Sequence, residues 1–118
     1  MSQAPAPFKH ISPQAAKDLL DSNTATFVDI RDPTSRAIGY IPASVHLNNE
    51  NADAFLQNAD KALPLVIYCY HGNSSQIAAE FLAQQGFADV HTMDGGFDTW
   101  QLLFPDCYQT EADAAEAD

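Results

Sequence analysis

The amino-acid sequence predicts a single α/β domain with a largely parallel sheet that helices cover on both faces. Segments with the patterns of strands and of helices alternate along the chain, as they do where helices connect parallel strands. Residues 65–69 are apolar on both faces, which is typical of a central strand in such a sheet. The length of 118 residues suits one domain, and the sequence contains no internal repeat and no long linker.

The N-terminal part of the chain predicts two strands around one helix. Residues 8–11 form the first predicted strand. Ser12 followed by Pro13 indicates a helix start, because a capping hydroxyl precedes a proline at the first helical position. The apolar stripe of this helix consists of Ala15, Ala16, Leu19 and Leu20. Residues 25–30 form the second strand, which ends at the Arg-Asp-Pro sequence of residues 31–33.

The rest of the chain continues the alternation. It contains predicted strands over residues 44–47, 65–69 and 88–92 and predicted helices over residues 51–60, 75–85 and 97–104. In the helix over residues 75–85 the apolar residues are Ile77, Ala78, Phe81 and Leu82, and Gly86 marks its C-terminal end. We expect residues 1–7 to be a flexible N-terminus, residues 8–105 to form the domain and residues 106–118 to be an acidic tail.

The composition excludes several classes of function. Sixteen acidic residues against five basic residues give a net charge of −11, so the chain lacks a basic surface for nucleic acid. No stretch has the length and apolar character of a membrane span, and the first residues lack the pattern of a signal peptide. The two cysteines, Cys69 and Cys107, are too few for a disulfide framework. We therefore expect a cytoplasmic protein that binds neither nucleic acid nor a membrane.

Cys69 is the candidate nucleophile. It ends a predicted central strand at the edge of the sheet where α/β folds bind their ligands, and Asp29 lies at the end of another strand. The polar turn of residues 70–74 leads into the next helix, whose first turn presents unpaired N–H groups and a positive partial charge. A loop that curls over such a helix start forms a cradle for an anion. We therefore expect the pKa of Cys69 to be depressed and its thiolate to be the nucleophile; the alternative is a buried, unreactive cysteine.

Four stretches of the sequence carry a family resemblance. They are Val28-Asp-Ile-Arg-Asp-Pro33, Gly39-Tyr-Ile-Pro-Ala-Ser44, Cys69-Tyr-His-Gly-Asn-Ser-Ser75 and Asp94-Gly-Gly-Phe-Asp-Thr-Trp100. In this order they resemble the single-domain rhodaneses, and most of all the short bacterial GlpE type of thiosulfate sulfurtransferase. The resemblance implies a five-stranded parallel sheet flanked by helices on both faces. It also implies a loop cysteine that takes sulfur from thiosulfate as a persulfide and passes it to an acceptor.

The resemblance implies a role for each part of the loop. Cys69 is the catalytic residue, and Asp29 and Arg31 match an Asp-x-Arg motif that supports the loop. The loop amides that bind the substrate belong to Tyr70, His71, Gly72, Asn73, Ser74 and Ser75. Thiosulfate is the implied donor, and cyanide, a small thiol or a thioredoxin-like protein is the acceptor. We expect no cofactor, because the donor brings its own leaving group, and no metal, because no pair of histidines has the spacing of metal ligands.

Two other functions remain open. Cysteine phosphatases and arsenate reductases also seat an anion over a cysteine loop, but their loops commonly end in an arginine that binds the oxyanion. Here the loop ends at Ser75 and Gln76. The second alternative is a non-catalytic rhodanese-like binding module; such modules often lack the loop cysteine, which this chain retains.

Three further positions enter the predictions. Tyr40 stands where many rhodaneses have histidine, so no role is carried over to that position. Gln76 stands where the GlpE type has lysine, so we expect weak binding of thiosulfate. We expect Cys107 to be a free thiol in a mobile segment beyond Pro105. The alternative for Cys107 is a role in resolving a persulfide or disulfide on Cys69.

Overall fold

The structure, a computed structural model, describes residues 8–71 and 74–110. Its strands are β1 (Lys9–Ile11), β2 (Thr26–Asp29), β3 (Val45–His46), β4 (Leu65–Tyr68) and β5 (Val90–Met93). They form one sheet in the order β1-β5-β4-β2-β3, in which every neighbouring pair is parallel. The predicted fold class, an α/β domain with a five-stranded parallel sheet, is confirmed.

In the described residues, four helices connect the strands and a fifth follows β5. They are α1 (Pro13–Ser22), α2 (Pro33–Ile38), α3 (Ala52–Asn58), α4 (Ser74–Gln84) and α5 (Gly96–Leu103). The start of α1 is as predicted, because the Ser12 hydroxyl accepts a hydrogen bond of 3.1 Å from the Ala15 N–H. Among the described residues, no helix has the length and apolar character needed to cross a lipid bilayer.

The core consists of two layers, one on each face of the sheet. On one face, Val66 and Tyr68 of β4 pack with Phe97 and Trp100 of α5 and with Ala16 of α1. On the other face, the alternate residues of β4 pack against α3 and α4; this layer contains Leu65, Ile67, Ala79, Leu82 and Phe87. Because successive side chains of a strand point to opposite faces, this pattern places β4 at the centre of the sheet.

Helix α2 is absent from the sequence-based prediction, although its start carries the same signal as that of α1. The Asp32 side chain accepts a hydrogen bond of 3.1 Å from the Ser35 N–H, and Pro33 occupies the first turn. The helix has only six residues, and none of them is buried. Such a helix shows no apolar periodicity, which is the signal on which the other helices were predicted.

Helix α4 is rotated relative to the predicted apolar stripe. Ile77 and Phe81 were expected to face the core, but their side chains are 77% and 49% exposed. The buried residues of α4 are Ser75, Ala79 and Leu82. The small side chains of Ser75 and Ala79 let the helix approach the sheet closely, and this close packing determines the orientation of the helix.

The chain beyond Pro105 packs against the domain as far as it is described. Trp100 Nε1 donates a hydrogen bond of 2.7 Å to the carbonyl of Cys107. Tyr40 and Gln109 exchange two backbone hydrogen bonds of 2.8 and 2.9 Å in an antiparallel bridge. Cys107 is therefore held in the domain and does not lie in the mobile segment that was expected. Residues 1–7 and 111–118, which include the predicted flexible N-terminus and most of the predicted acidic tail, lie outside the described residues.

Candidate active site

Cys69 lies between the carboxyl end of β4 and the first turn of α4. It follows Tyr68 directly, and α4 begins at Ser74, so the predicted order of strand, turn and helix is confirmed. The cysteine is part of no disulfide and is only 5% exposed, so its side chain is largely covered. Gly72 and Asn73, which were predicted to contribute loop amides, lie outside the described residues.

The N-terminus of α5 holds the beginning of the cysteine loop. The N–H of Phe97 donates to the carbonyl of Cys69 at 2.8 Å, and the N–H of Asp98 donates to the carbonyl of Tyr70 at 3.0 Å. Gly96 makes this approach possible, since a Cβ there would lie 2.5 Å from both carbonyl oxygens. Gly96 also has a φ of +62°, which side-chain-bearing residues rarely adopt. The glycine pair of the sequence therefore has a specific role beside the loop.

The described loop residues present both exposed side chains and backbone donors. The Tyr70 ring is 44% exposed and lies 4.9 Å from the ring of His71. His71 Nδ1 is 3.8 Å from a carboxylate oxygen of Asp98, and both side chains are more than half exposed. Within the ranges 8–71 and 74–110, the N–H groups of Tyr70, His71, Ser74 and Ser75 donate to no other backbone group. These four amides are the described members of the anion cradle that the sequence predicts.

A chain of two hydroxyl groups leads to the sulfur of Cys69. Cys69 Sγ is 3.5 Å from Ser75 Oγ, and the Ser75 hydroxyl is hydrogen-bonded to the hydroxyl of Thr92 on β5. Ser75 and Thr92 are 0% and 1% exposed. Sequence reasoning placed Ser75 among the loop amides only and missed Thr92. The one signal for Thr92 in the sequence was that a residue with a hydroxyl group lies within the predicted last strand. The distance between Thr92 and Cys69 depends on the pairing of β5 with β4.

Asp29 is the centre of a buried polar network beside the loop. Its carboxylate, which is 0% exposed, receives five hydrogen bonds. They come from the Arg31 N–H (2.9 Å), Arg31 Nε (3.0 Å), Arg31 Nη2 (2.8 Å), Arg36 Nη1 (3.2 Å) and the Tyr68 hydroxyl (3.1 Å). Sequence reasoning singled out Asp29 and Arg31 but not Arg36, which also donates to the carbonyl of Ser44 at 2.8 Å. The network therefore joins β2 to β4, α2 and the segment before β3.

The charges in this network are fixed by their neighbours. Burial is the largest influence on Asp29 and acts to raise its pKa, but the hydrogen bonds from the Arg31 side chain and N–H outweigh it, so the pKa is lowered. Burial acts to lower the pKa of Arg31, and the hydrogen bond and charge of Asp29 raise it overall. The pKa of Tyr68 is raised, first by burial and then by the charge of Asp29. At neutral pH the network thus contains a charged carboxylate, a charged guanidinium and a neutral phenol.

Asp29 and Arg31 reach the cysteine loop through other residues. The Arg31 guanidinium lies 4.4 Å from the centre of the Phe97 ring, and the Phe97 N–H holds the carbonyl of Cys69. Arg31 Nη2 also donates to the carbonyl of Gly39 at 2.5 Å. The Tyr68 hydroxyl, which contacts Asp29, belongs to the residue that precedes Cys69. Asp29 and Arg31, the two predicted supporting residues, thus contact residues that hold or precede the cysteine loop.

The structure does not bring Cys107 to Cys69. Cys107 packs with Phe104 and Trp100 in the core layer of α1 and α5. The Cys69 sulfur instead contacts Ser75 of α4, which is hydrogen-bonded to Thr92 of β5. Burial raises the pKa of the Cys107 thiol. Across the described part of the chain, no group of three histidine, cysteine or acidic residues has a geometry that could hold a metal ion.

Comparison with known proteins assigns the family. The model of the rhodanese-like domain matches residues 12–103, which is most of the chain. The chain belongs to the rhodanese-like family. It is 54% identical over 98 residues to the thiosulfate sulfurtransferase GlpE of Ectopseudomonas mendocina, covering 83% of this chain and 89% of that protein. It is 50% identical, again over 98 residues, to the GlpE of Pseudomonas fluorescens, with the same coverage.

A solved structure agrees with the fold of this rhodanese-like domain. The rhodanese-related protein from Thermoplasma volcanium superimposes with a TM-score of 0.70 over 81% of this chain and 93% of that chain. The two sequences are 23% identical, so this likeness supports the fold alone. The resemblance that the four sequence stretches indicated is confirmed.

Proposed function

We propose that this rhodanese-like domain is a thiosulfate sulfurtransferase that carries sulfane sulfur as a persulfide on Cys69. The curated relatives at about half identity are named thiosulfate sulfurtransferases and match over most of their length. The observation that carries the proposal is the position of Cys69 between the end of β4 and the start of α4. The sulfur there lies 3.5 Å from the Ser75 hydroxyl in the first turn of α4, at the positive end of the helix, an environment that favours a thiolate.

The first half-reaction loads sulfur onto the enzyme. The Cys69 thiolate attacks the outer sulfur of thiosulfate and forms a new S–S bond. The S–S bond within thiosulfate breaks, and sulfite leaves with its electron pair. The amides of Tyr70, His71, Ser74 and Ser75 are the described donors that stabilise the anionic donor and the departing sulfite.

The second half-reaction delivers the sulfur. Cyanide attacks the outer sulfur of the persulfide, the S–S bond to Cys69 breaks, and its electron pair restores the thiolate as thiocyanate leaves. A small thiol or a thioredoxin-like protein serves as acceptor by the same step. Both half-reactions balance without a metal or an organic cofactor. Two cysteines are too few for a disulfide framework and suit a compartment that keeps thiols reduced, and on this ground we place the protein in the cytoplasm.

The geometry supports the two alternatives less well. An oxyanion transferase needs an arginine clamp at the end of the loop, but Ser75 and Gln76 occupy that place. Arg31, which lies behind the loop, is already bound to Asp29 and to the carbonyl of Gly39. A non-catalytic module would have no need of a cysteine held between a strand end and a helix start.

Thiocyanate formation from thiosulfate and cyanide tests the proposal. We expect the wild-type protein and Cys107→Ser to form thiocyanate at similar rates, because Cys107 lies on the other face of the sheet from the partners of Cys69. Cys69→Ser should lose this activity by at least a thousandfold, since an alkoxide is far harder to form than a thiolate and cannot carry sulfane sulfur. Circular dichroism and thermal unfolding of Cys69→Ser show whether the fold is retained. A folded Cys69→Ser protein with wild-type activity would refute the assignment.

A further inference from the structure

A chain of two buried hydroxyl groups ends at the sulfur of Cys69. Ser75 Oγ is 3.5 Å from Cys69 Sγ, which is within hydrogen-bond distance for sulfur. The Ser75 hydroxyl is hydrogen-bonded in turn to the Thr92 hydroxyl. Ser75 lies in the first turn of α4 and Thr92 lies on β5, the strand next to β4 in the sheet. Since both residues are almost fully buried, these hydroxyls depend on protein partners for hydrogen bonding.

We propose that Ser75 is a catalytic residue whose hydroxyl donates a hydrogen bond to the Cys69 sulfur, and that Thr92 is a positioning residue that orients the Ser75 hydroxyl. The proposal rests on the proposed sulfurtransferase function and extends it. The role belongs to the Ser75 side chain and is separate from that of its backbone amide in binding the substrate.

The chain of hydroxyls can serve both protonation states of the cysteine. In the thiol state, the Cys69 S–H donates to Ser75 Oγ, and the Ser75 O–H donates to Thr92 Oγ1. In the thiolate state the direction reverses, so Thr92 O–H donates to Ser75 and Ser75 O–H donates to the sulfur anion. A hydrogen bond to a charged acceptor is stronger than one between neutral groups, and burial strengthens it further. The arrangement therefore favours the thiolate.

The same donor contributes when sulfur leaves the enzyme. In the persulfide, the sulfur of Cys69 is a neutral and weak acceptor. When cyanide attacks the outer sulfur, the electron pair of the breaking S–S bond returns to Cys69 Sγ, and negative charge develops beside Ser75. A donor that binds this charge makes Cys69 a better leaving group. Loss of the Ser75 hydroxyl should therefore slow both the attack on thiosulfate and the release of sulfur to cyanide.

Two measurements in a Cys107→Ser background test the proposal. The first is the rate of iodoacetamide alkylation of Cys69 against pH, which reports the pKa of the thiol. The second is a single-turnover rate of thiocyanate formation from persulfide-loaded protein and cyanide. For Ser75→Ala we expect the alkylation midpoint to rise by about one pH unit and the single-turnover rate to fall roughly tenfold, as for the loss of one hydrogen bond to a charged group.

The Thr92 variants separate positioning from packing. Thr92→Val has nearly the shape of threonine but lacks the hydroxyl, and we expect a change in the same direction as for Ser75→Ala but smaller. Thr92→Ser keeps the hydroxyl and should restore the midpoint and the rate towards wild type. If Ser75→Ala fails to fold, the Thr92 variants decide: Thr92→Val removes the hydroxyl at nearly constant shape, whereas Thr92→Ser removes a methyl group and keeps the hydroxyl, so a change in Thr92→Val that Thr92→Ser does not share belongs to the hydroxyl.

The proposal is overturned if folded Ser75→Ala and Thr92→Val keep the wild-type alkylation midpoint and single-turnover rate. A change in thermal stability with unchanged midpoints would assign both hydroxyls to packing alone. The alkylation profile does not depend on any sulfur donor. A wild-type protein that forms no thiocyanate would therefore refute the proposed function, and the alkylation midpoints of the variants would still test the role of Ser75.

Discussion

Asp29 shows how a residue that touches no substrate can control the site. It is wholly buried and is the common acceptor for Arg31, Arg36 and the hydroxyl of Tyr68. Tyr68 is bonded covalently to Cys69, and Arg31 lies against the Phe97 ring. Because removal of one partner leaves the buried charges of the others uncompensated, the stability of this region should depend strongly on the Asp29 carboxylate.

We predict that Asp29→Asn destabilises the protein by about 3–5 kcal/mol at neutral pH, as for a broken buried ion pair. Urea unfolding measures the loss. Asp32→Asn is the matched control, since Asp32 is an exposed carboxylate in the same segment and asparagine caps a helix as well as aspartate does. Equal unfolding midpoints for Asp29→Asn and Asp32→Asn would contradict a structural role of the buried charge.

The loss of stability in Asp29→Asn should depend on pH in a defined direction. The pKa of Asp29 is lowered by folding, so its contribution to stability is complete above the unfolded value near 3.8 and is lost as the pH falls through the lower folded value. The difference in unfolding free energy between wild type and Asp29→Asn should therefore be largest near neutral pH and should shrink below about pH 4. A difference that grows towards acid would mean that the folded protein does not hold the carboxylate in its charged form.

At the scale of residues, local sequence identified the cysteine and its loop but not the groups behind them. Cys69, Asp29 and Arg31 could be singled out because each lies at a strand end or in a recognisable motif. Thr92 and Arg36 could not, because Thr92 contacts Ser75 from a neighbouring strand, and Arg36 contacts Asp29 from α2, a helix that the sequence did not predict. Only the register of the sheet and the position of α2 bring them to Ser75 and Asp29.

At the scale of elements, the contact between α5 and the cysteine loop depends on one glycine. We predict that Gly96→Ala lowers the rate of thiocyanate formation at least tenfold, because the new Cβ would overlap the carbonyls of Cys69 and Tyr70. Steady-state rates and thermal unfolding measure the effect.

Gly86→Ala is the matched control: Gly86 also has a positive φ, but its Cβ would meet only Lys61, at 3.6 Å. We expect Gly86→Ala to cost stability, about 1–2 kcal/mol of backbone strain, and little activity. Equal loss of activity in the two variants would contradict the role of the α5 contact.

The elements themselves were predictable where they carry periodic apolar residues or caps. Within the described residues, all five strands and four of the five helices were predicted, with ends displaced by at most two residues. Helix α2 was not predicted from the sequence, because it buries no side chain. The predicted orientation of α4 was wrong. The prediction followed Ile77 and Phe81, the larger apolar residues, but close packing of Ser75 and Ala79 on the sheet decides which side of the helix faces inward.

At the scale of the whole molecule, the charge of the chain opposes its anionic substrate. The net charge is −11. All five basic side chains already have partners: Lys9 contacts Asp89, Lys17 contacts Asp21, Arg31 and Arg36 contact Asp29, and Lys61 donates to the carbonyl of Leu56. In the proposed reaction, loop amides and the helix start bind thiosulfate against a repulsive field from the rest of the protein.

We predict that moderate salt lowers the apparent KM for thiosulfate. Salt screens long-range repulsion with a screening length of about 10 Å at 0.1 M and acts much less on hydrogen bonds at the sulfur. Steady-state kinetics over a range of KCl concentrations measures the effect, and an equal osmolality of sucrose serves as the uncharged control. A KM that rises steadily with salt would contradict this prediction and would indicate a local cationic group, for which His71 is the candidate.

The architecture of the whole chain was predictable as a class but not as a strand order. Alternating strands and helices are encoded locally, and they indicate a parallel sheet. The order β1-β5-β4-β2-β3 arises from pairings between distant segments, such as Ile11 with Met93 and Asp29 with Tyr68. These pairings place the ends of β2 and β4 side by side, and this is how the Asp29 network comes to lie next to Cys69.

Intact-mass spectrometry after treatment with thiosulfate tests the persulfide on Cys69 most directly. Thiosulfate alone should add the mass of one sulfur atom to the wild-type protein and to Cys107→Ser, and cyanide should remove it. Cys69→Ser should gain no mass while keeping the wild-type circular dichroism spectrum. A folded Cys69→Ser protein that still gains one cyanide-labile sulfur, or a wild-type protein that gains none, would contradict the assignment of Cys69 as the sulfur carrier.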